Sequence, residues 1–459
     1  MTWPDQRASQ IPWRELHVVV TGIGVSGMAA AEVLLRWGAR VTVVDESDGE
    51  HDRARAAALR ALGASVRLGP LVADGAPDLV VTSPGWRPDN ALLVAYGDGG
   101  VPVWGEVELA WRGTDHERTR WLGITGTNGK TTTTEMLAAM IDAAGVEGAA
   151  AGNIGLPLLH AVGREPAPEL LAVELSSFQL HWCRTLDVTA AAVLNLAPDH
   201  LDWHGSMSAY GAAKAAVWGP STIPLFNADD SGATGLAGGR PDAVGFALDA
   251  LAPLHRAGDL LVDTAFGGGE LLTVGELQVR GDHNVANALA AAGLALAAGV
   301  PATAVRTALR AFTTGRHRDE VVATVDGVAY VDDSKATNPH AAAASLSAYE
   351  SVVWVAGGLN KGLAFDDLAR DHGHRLRAAV LIGACAAEVQ DALARHAPNV
   401  PVHRAESMHT AVETARSVAK TGDTVLLAPA AASMDMFRNY AERGDVFAAA
   451  VRAQEEERR

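Results

Sequence analysis

The sequence predicts an α/β protein with parallel sheets, divided into three domains. Short apolar runs typical of strands alternate with longer runs typical of helices along all 459 residues, which is the pattern of strand–helix–strand units. The chain is also longer than most single domains built around one hydrophobic core. Two polar stretches, at residues 112–120 and 314–318, interrupt the pattern. We therefore predict domains over residues 1–117, 118–314 and 315–459.

Ten short apolar runs carry the strand prediction. They are His17–Thr21, Arg40–Val44, Leu79–Thr82, Trp121–Thr125, Leu170–Glu174, Ala191–Asn195, Val328–Val331, Val352–Ala356, Val380–Gly383 and Thr424–Ala428. The helical runs next to the motifs described below are Gly27–Trp37, Thr131–Ala144 and Ser208–Trp218. The alanine-rich stretch from Ala286 to Val305 contains Pro301 and few large apolar residues, so we interpret it as a pair of buried helices and not as a membrane span.

Composition and charge exclude several classes of function. The 37 basic and 54 acidic side chains give a net charge of −17, and no segment is rich in lysine and arginine. Such a surface repels nucleic acids and anionic membranes, so we expect neither as a partner. The first ten residues lack the basic patch and apolar core of an export signal. Because Cys183 and Cys385 lie far apart in the chain, we expect two reduced thiols in a cytoplasmic protein. We also expect a monomer.

The first glycine motif, Thr21-Gly-Ile-Gly-Val-Ser-Gly27, follows a predicted strand and opens a helix. Glycines at such a turn let the backbone approach a phosphate, and the helix start presents free N–H donors to it. Asp45 ends the next strand, where an acidic side chain commonly holds a ribose or a base. A second glycine turn, Ser83-Pro-Gly85, follows another strand, and two such loops fit a nucleotide diphosphate unless the glycines serve only packing. The candidate contacts are Gly24, Val25, Ser26, Asp45 and Ser83.

A second motif, Gly123-Ile-Thr-Gly-Thr-Asn-Gly-Lys-Thr-Thr132, lies between a predicted strand and a predicted helix. It is similar to a P-loop, in which backbone N–H groups surround phosphates, a lysine reaches the terminal phosphates and a threonine hydroxyl binds Mg²⁺. Ile124 stands where the common pattern has glycine, so the loop is a variant. The motif predicts ATP binding through Gly126, Thr127, Asn128, Gly129, Lys130, Thr131 and Thr132.

Three further strings, together with this loop, resemble the Mur ligases, the ATP-dependent amide-bond ligases of cell-wall precursor synthesis. They are Glu174-Leu-Ser-Ser-Phe-Gln-Leu180, Asn195-Leu-Ala-Pro-Asp-His-Leu-Asp202 and Asp332-Asp-Ser-Lys-Ala-Thr-Asn-Pro339. The first and third are most similar to the branch that adds D-glutamate to UDP-N-acetylmuramoyl-L-alanine, and the handedness of the amino acid comes from this resemblance alone. The resemblance implies a Rossmann-like first domain for the UDP end, a central P-loop ATPase-type parallel sheet, and a Rossmann-like third domain for the amino acid.

The resemblance implies a metal site in the central domain. Glu174 ends a predicted strand, where a carboxylate facing the P-loop suits Mg²⁺, and in the family it is a metal ligand. In the relatives His200 binds a second metal or orients the substrate carboxylate. Lys214, which by sequence alone is an ordinary exposed lysine on a helix, is carbamylated there and becomes an anionic ligand. The implied catalytic residues are Lys130, Glu174, His200 and Lys214, and the implied ligands of two Mg²⁺ ions are Thr131, Glu174, His200 and carbamylated Lys214.

The resemblance also assigns residues to three substrates. For the UDP substrate it adds Asn153, Ser176, Gln179 and His200. For ATP it adds Asn284, Asn287, Arg318, Asp333 and Lys335. For D-glutamate it gives Lys335, Thr337, Lys361, Ser433 and Tyr440. Two positions depart from the family pattern, because Trp203 stands where arginine is usual and Tyr440 stands where some relatives have phenylalanine.

Three other functions are open at this point. A nicotinamide oxidoreductase would explain the first glycine motif, but it would leave the P-loop, Glu174 and the third domain without a purpose. A sibling ligase that adds L-alanine, a diamino acid or glutamate on folate would share the central chemistry, and the DDSKATNP string argues against it. A binding protein without catalysis would be expected to lack some of the four catalytic residues, and all four are present.

Overall fold

The computed structural model describes residues 6–73, 75–360 and 362–456. Three sheets follow one another along the chain, and only the pairs at one end of the second and third sheets are antiparallel. The α/β prediction is confirmed. Each of the ten predicted strands overlaps a strand of the structure, because each is a run of apolar residues buried on both faces of a parallel sheet.

The first sheet has five parallel strands in the order β3–β2–β1–β4–β5. Its elements are β1 (His17–Thr21), α1 (Val25–Trp37), β2 (Arg40–Asp45), α2 (Glu50–Ala61), β3 (Ser65–Leu68), β4 (Leu79–Thr82), α3 (Ala91–Asp98), β5 (Val103–Gly105) and α4 (Glu106–Gly113). The strand order changes direction between β1 and β4, and in open α/β sheets ligands bind in the crevice at such a point. The glycine motif follows β1 and Ser83 follows β4, so both lie at this crevice.

The second sheet has nine strands in the order β14–β13–β12–β11–β10–β9–β6–β8–β7. The elements are β6 (Arg120–Thr125), α5 (Lys130–Ala143), β7 (Gly148–Gly152), α6 (Leu158–Val162), β8 (Leu170–Glu174), α7 (Ser177–His181), β9 (Ala190–Val193), α8 (Leu201–His204), α9 (Met207–Ala215), β10 (Ile223–Asn227), α10 (Ser231–Ala237), β11 (Val244–Ala247), β12 (Leu254–Ala257), β13 (Leu260–Asp263), β14 (Gly269–Thr273), α11 (Asp282–Ala297) and α12 (Ala302–Ala311). Since β6 lies between β8 and β9, the P-loop, Glu174 and Asn195 emerge at one edge of the sheet.

The third sheet has six strands in the order β15–β16–β20–β17–β18–β19. Its elements are β15 (Glu320–Val325), β16 (Val328–Asp332), α13 (Pro339–Ser347), β17 (Val352–Gly357), α14 (Asp366–His372), β18 (Leu376–Ile382), α15 (Ala386–His396), β19 (Val402–Arg404), α16 (Met408–Val418), β20 (Thr424–Leu427) and α17 (Tyr440–Glu456). Parallel pairing of β16 with β20 brings the loops that follow these two strands together. Those loops carry most residues assigned to D-glutamate.

The chain forms two compact units. The first contains the residues up to Leu196, Leu201–Val274 and Asn287–Arg310, and the second contains Ala197–His200, Gly275–Ala286 and the residues from Ala311 onward. The first two sheets share the first unit, where one hydrophobic cluster includes residues of both, such as Val20 and Val173. The boundary predicted near residue 117 therefore lies inside a unit, and the three-domain division stays a prediction.

The alanine-rich stretch forms a pair of helices, as predicted, and consists of most of α11, the connection at residues 298–301 and the start of α12. In the part of the chain that the structure describes, no helix combines the length and apolar character needed to cross a membrane. Cys183 and Cys385 are both buried and unpaired with each other, as the sequence predicts.

Candidate active site

The P-loop connects β6 to α5, and its Gly129 is required by two features. The residue has a left-handed φ of 81°, which side chains rarely adopt. A Cβ atom there would also collide with the Oδ1 atom of Asn287. Asn287 comes from α11 and is 5% exposed. The structure thus brings Asn287, which was assigned to ATP only by resemblance, against the phosphate-binding loop.

Asn195, which follows β9, fixes the middle of the P-loop. Its backbone oxygen accepts a hydrogen bond of 3.1 Å from the N–H of Thr127. Its side-chain amide accepts from the N–H of Asn128 at 2.8 Å and donates to the carbonyl oxygen of Asn128 at 3.1 Å. Because these two N–H groups are engaged, the donors best placed for a phosphate are those of the first turn of α5, where the positive end of the helix dipole also lies. That turn begins at Lys130 and no side chain caps it.

Two lysines converge on the carbonyl oxygen of Gly126. The Nζ atom of Lys130 lies 2.9 Å from this oxygen and 2.9 Å from that of Thr127. The Nζ atom of Lys214 lies 2.7 Å from the same Gly126 oxygen and 4.5 Å from the centre of the Tyr210 ring. Lys214 is only 1% exposed. The interpretation of Lys214 as an ordinary exposed lysine is therefore wrong, because α9 packs this face of the helix against the P-loop.

Glu174 is the last residue of β8, and only one oxygen of its buried carboxylate accepts a hydrogen bond from the described residues. Its Oε1 atom accepts a hydrogen bond of 2.8 Å from the side-chain amide of Asn153. Its Oε2 atom is buried and has no hydrogen-bond partner among the described residues. A buried carboxylate oxygen without a donor is costly, and a cation is the usual compensation. The structure thus joins Asn153 to Glu174 and leaves an oxygen that fits Mg²⁺.

His200 lies in the short segment Ala197–His200, which belongs to the second unit. Its backbone adopts a left-handed φ of 53°. Its N–H donates to the Oδ1 atom of Asp199 at 2.9 Å, and its Nε2 atom lies 3.5 Å from Asp199 Oδ2. Asp199 thus stabilises the turn through its contacts with His200. The role of His200 as metal ligand stays a prediction.

The two glycine turns of the first sheet lie against each other, and their shared contact with a nucleotide diphosphate stays a prediction. A side chain at Gly27 would strike the carbonyl oxygen of Gly22, and one at Gly22 would strike the hydroxyl of Ser83. The Ser83 hydroxyl is buried and lacks a hydrogen-bond partner among the described residues. The Asp45 carboxylate makes hydrogen bonds within the protein: it accepts from the N–H groups of Ile23 at 2.7 Å and Ser47 at 2.9 Å. The first turn of α1 contains Val25 and Ser26 after its N-cap, Gly24.

Ser176 and Gln179 form a capping box at the start of α7. The Ser176 hydroxyl accepts from the N–H of Gln179 at 3.2 Å, and the Gln179 side-chain oxygen accepts from the N–H of Ser176 at 2.9 Å. This arrangement satisfies two donors that a helix start leaves open. It gives both residues a structural role, and their contact with the UDP substrate stays a prediction.

In the second unit, Lys335 and Tyr440 are brought together. The Lys335 ammonium lies 3.9 Å from the centre of the Tyr440 ring, and the Ser334 hydroxyl donates to the carbonyl oxygen of Tyr440 at 2.7 Å. Ser433 is buried, and Thr337 donates its N–H to the carbonyl of Lys335 at 2.8 Å. Lys361 lies outside the described residues.

Asp333 lies in a buried acidic environment beside the ATP-assigned residues of this unit. Burial, together with the nearby Asp319, raises the pKa of Asp333 to about 7, and a hydrogen bond from the Ser345 hydroxyl opposes this effect. A carboxyl group with such a pKa can donate or accept a hydrogen bond near neutral pH. Asn284 is buried and donates to the carbonyl oxygen of Arg280 at 2.8 Å. Arg318 is half-buried.

Arg443 is a structural centre of this region that sequence analysis missed. It is fully buried, and its guanidinium donates to the hydroxyl and carbonyl oxygens of Ser334 at 3.0 and 2.9 Å and to the carbonyl oxygen of Ala431 at 3.1 Å. Burial lowers its pKa to about 10. The arginine therefore joins the loops that follow β16 and β20. Nothing in the sequence near α17 signals this role, whereas Asn195 could have been found inside a string already noted.

Comparison with known proteins gives the same picture over nearly the whole chain. The Mur ligase middle domain matches residues 124–295, and the Mur ligase glutamate ligase domain matches residues 317–431. A UDP-N-acetylmuramoylalanine–D-glutamate ligase of Frankia casuarinae is 59% identical over 97% of this chain and 96% of its own length. The enzyme of the same name from Streptomyces coelicolor is 54% identical over 95% of this chain and 98% of its own.

The chain belongs to the Mur ligase family. Solved structures of more distant members share its fold. The UDP-N-acetylmuramate–alanine ligase MurC of Thermotoga maritima has a TM-score of 0.58 at 19% identity and covers 96% of this chain and 100% of its own. MurF of Acinetobacter baumannii has a TM-score of 0.61 at 16% identity, with 95% and 93% covered. The resemblance inferred from four short strings is therefore confirmed at the level of family and fold.

Some of the geometric features described above lie within the two family matches, and others lie outside them. The P-loop, Glu174, Lys214 and Asn287 lie within the match to the Mur ligase middle domain. Lys335 lies within the match to the glutamate ligase domain, whereas Tyr440 lies beyond its end. The contact between Lys335 and Tyr440 is therefore information that the structure adds to the family match.

Proposed function

We propose that this Mur ligase joins D-glutamate to UDP-N-acetylmuramoyl-L-alanine with hydrolysis of ATP to ADP and phosphate. The observation that carries the choice of substrates is the 59% identity, over nearly the full length of both chains, to a ligase with that name. The geometry of the P-loop and of Glu174 supports the chemistry.

The reaction requires two steps, since a carboxylate does not react with an amine. An oxygen of the substrate carboxylate attacks the γ-phosphorus of ATP, the bond to ADP breaks, and an acyl phosphate forms. The amine of D-glutamate then attacks the acyl carbon to give a tetrahedral intermediate, which expels phosphate and loses a proton to form the amide. Negative charge concentrates in both steps, so cationic groups and oriented N–H donors stabilise both transition states.

The P-loop provides that stabilisation at the phosphates. We assign phosphate binding to the first turn of α5, formed by Lys130, Thr131 and Thr132, because the positive end of the helix dipole lies there. Lys130 donates to the neutral carbonyls of Gly126 and Thr127, and a phosphate oxygen would be a stronger acceptor for the same ammonium.

Mg²⁺ fits the unpartnered Glu174 oxygen, and we assign its ligands to Thr131, Glu174, His200 and carbamylated Lys214, for two ions in all. The metal would neutralise charge on the phosphates and the acyl phosphate. Lys214 is buried beside a second ammonium, Lys130, on one carbonyl oxygen. Two cations in this position disfavour each other, and a carbamate at Lys214 would replace that repulsion by attraction.

The remaining assignments place the substrates at the loops described above. For the UDP substrate they are Gly24, Val25, Ser26, Asp45, Ser83, Asn153, Ser176, Gln179 and His200. For the rest of ATP they are Asn284, Asn287, Arg318, Asp333 and Lys335. For D-glutamate they are Lys335, Thr337, Lys361, Ser433 and Tyr440. We take the working enzyme to be a monomer in the cytoplasm.

Phosphate release from ATP tests the proposal. The purified enzyme is given UDP-N-acetylmuramoyl-L-alanine and, in separate reactions, D-glutamate, L-glutamate, L-alanine or meso-diaminopimelate. Release that depends on D-glutamate alone supports the assignment. Release with another acceptor would keep the chemistry and change the amino acid, and no release with any acceptor would contradict the ligase.

A further inference from the structure

Five aromatic side chains form a cluster between α7, α8 and α9. This aromatic cluster consists of Phe178, His181, Trp203, His204 and Tyr210. The ring of Trp203 lies 4.7 Å from that of Phe178 and 5.0 Å from that of His181. The ring of His204 lies nearly parallel to Phe178 at 5.6 Å and 5.2 Å from Tyr210. The tryptophan that replaces the usual arginine of the family is thus a packing residue of this cluster.

His204 also makes a polar contact with α7. A hydrogen bond of 2.9 Å joins its Nε2 atom to the hydroxyl of Ser177. Ser177 is the first residue of α7, lies three positions after Glu174 and is 3% exposed. The bond therefore fixes α8 to the start of the helix that follows the Glu174 carboxylate.

On its other side, His204 contacts the residue that supports Lys214. Tyr210 precedes Lys214 by one turn of α9, and the Lys214 ammonium lies 4.5 Å from the centre of its ring. The Tyr210 hydroxyl also pairs with the hydroxyl of Thr127 in the P-loop at 3.1 Å. One imidazole thus contacts the helix after Glu174 and the ring beneath Lys214.

The elements joined in this way are too short to hold their own positions. Helix α7 has five residues and α8 has four, and helices of this length are unstable without tertiary contacts. A shift of α7 relative to α9 would change the spacing between Glu174 and Lys214. A misplacement of about 1 Å at a catalytic group can cost ~100-fold in rate.

We propose that His204 is a positioning residue that sets the spacing between the Glu174 carboxylate and the Lys214 side chain through its bond to Ser177 and its contact with Tyr210. The inference rests on the proposed function, in which Glu174 and Lys214 hold the metal. It gives a role to a histidine that belongs to none of the substrate sites assigned above.

Two substitutions break the same bond from opposite sides. His204→Phe keeps an aromatic ring in the cluster and removes the bond, and Ser177→Ala removes the bond and keeps the imidazole. We expect each to lower kcat about tenfold, with KM for the three substrates within about twofold of wild type. The double variant is expected to be no slower than the slower single variant, because both changes remove one interaction.

Mn²⁺ binding gives a readout that does not depend on turnover. Electron paramagnetic resonance titration with Mn²⁺ and a non-hydrolysable ATP analogue is expected to show weaker metal binding in both variants. The matched control is His160→Phe, which removes a 3.1 Å bond to Glu32 elsewhere in the same unit and is expected to leave kcat and Mn²⁺ affinity unchanged.

The proposal is overturned if both single variants have wild-type kcat, or if their losses multiply in the double variant while Mn²⁺ affinity stays normal. If His204→Phe does not fold, the proposal is tested by Ser177→Ala alone, because that substitution removes only the hydroxyl oxygen that makes the bond. Failure of the proposed function is distinguishable, because the wild-type enzyme would then show no D-glutamate-dependent phosphate release.

Discussion

Lys130 makes hydrogen bonds within its own loop. Its ammonium donates to the carbonyl oxygens of Gly126 and Thr127, and the N–H groups of the first turn of α5 already point along one direction. Binding of a phosphate would exchange these neutral acceptors for a charged one, which is the stronger partner for an ammonium.

Replacement of Lys130 by alanine tests the importance of that exchange. We expect Lys130→Ala to lower D-glutamate-dependent phosphate release at least ~100-fold, because one cation is lost from the transition state. Binding of UDP-N-acetylmuramoyl-L-alanine, measured by isothermal titration calorimetry, is expected to stay within twofold of wild type, since Lys130 is not among the residues assigned to that substrate. Normal turnover by this variant would contradict the mechanism.

Gly129→Ala tests the contact between the P-loop and α11. Alanine would have to adopt a left-handed conformation and would displace the Asn287 side chain. We expect KM for ATP to rise at least tenfold. Gly145→Ala is the control, because Gly145 also has a left-handed φ, of 69°, but a Cβ atom there meets nothing within 4 Å. The control is expected to cost about 1 kcal/mol of stability and leave KM unchanged.

Sequence reasoning predicted site residues where the chemical type indicates the role. Glycines, a lysine and threonines in fixed spacing predict a phosphate loop, and for Glu174 the family resemblance predicts a metal ligand. Asn195 and Arg443 were missed because their roles depend on partners distant in sequence, Asn128 in one case and Ser334 in the other. The burial of Lys214 was missed for the same reason.

At the scale of elements, hydrophobic runs predicted the central strands and failed at weaker ones. Strand β7, Gly148–Gly152, consists of glycine and alanine and has no β-branched residue, so only its pairing with β8 makes it a strand. The hairpin β12–β13 has mixed polarity because buried residues alternate with half-buried ones along β13 and only Leu254 of β12 is buried. Helix α9 ends three residues before the predicted helix does.

Helix α4 carries two buried glutamates with opposite surroundings. The Glu106 carboxylate accepts from the N–H of Leu159 at the start of α6, and burial raises its pKa to about 7. The Glu108 carboxylate pairs with Arg112 at 2.7 Å and accepts from Thr185. One carboxylate thus lacks a counter-ion among the described residues, and the other has one.

Glu106→Gln is expected to stabilise the protein at high pH. A raised carboxyl pKa means that the native state holds its proton more tightly than the unfolded state, so stability is full below pH 4.5 and falls as the pH rises to about 7. Glutamine keeps the acceptor oxygen without the charge. Urea unfolding at pH 5 and pH 8 is expected to show a gain at pH 8, on the order of 3 kcal/mol at most, that shrinks towards pH 5.

Glu108→Gln is the matched change and is expected to act in the opposite direction. It leaves the guanidinium of Arg112, which is 5% exposed, without its counter-ion. Loss of one partner of a buried pair costs about 3 kcal/mol or more. Equal effects of the two substitutions would show that burial alone, and not the counter-ion, governs the stability of α4.

At the scale of the whole molecule, each compact unit has hydrophobic clusters of its own. The first unit contains the cluster that the first two sheets share and another on the opposite face of the first sheet, and the second unit contains two clusters on the faces of the third sheet. The sequence predicted a break near residue 314, where apolar periodicity gives way to a polar turn. It could not show that the first two sheets share one cluster, because that depends on contacts such as Trp111 with Trp121.

The two units predict two thermal transitions in differential scanning calorimetry. UDP-N-acetylmuramoyl-L-alanine at about 100 times its Kd is expected to stabilise one of them by about 2.7 kcal/mol, since most residues assigned to it belong to the first unit. The other transition is expected to stay within a degree of its position without ligand. A single transition that moves as a whole would show that the units unfold together.

The side-chain amide of Asn195 pairs with the backbone of Asn128 through two hydrogen bonds, as neighbouring strands of a sheet do. Its oxygen accepts from the Asn128 N–H, and its nitrogen donates to the Asn128 carbonyl oxygen. Only an amide can do this. An oxygen in place of the Asn195 side-chain nitrogen would turn this donor into an acceptor and set two oxygens against each other. The conformation of the phosphate loop thus depends on a single nitrogen atom.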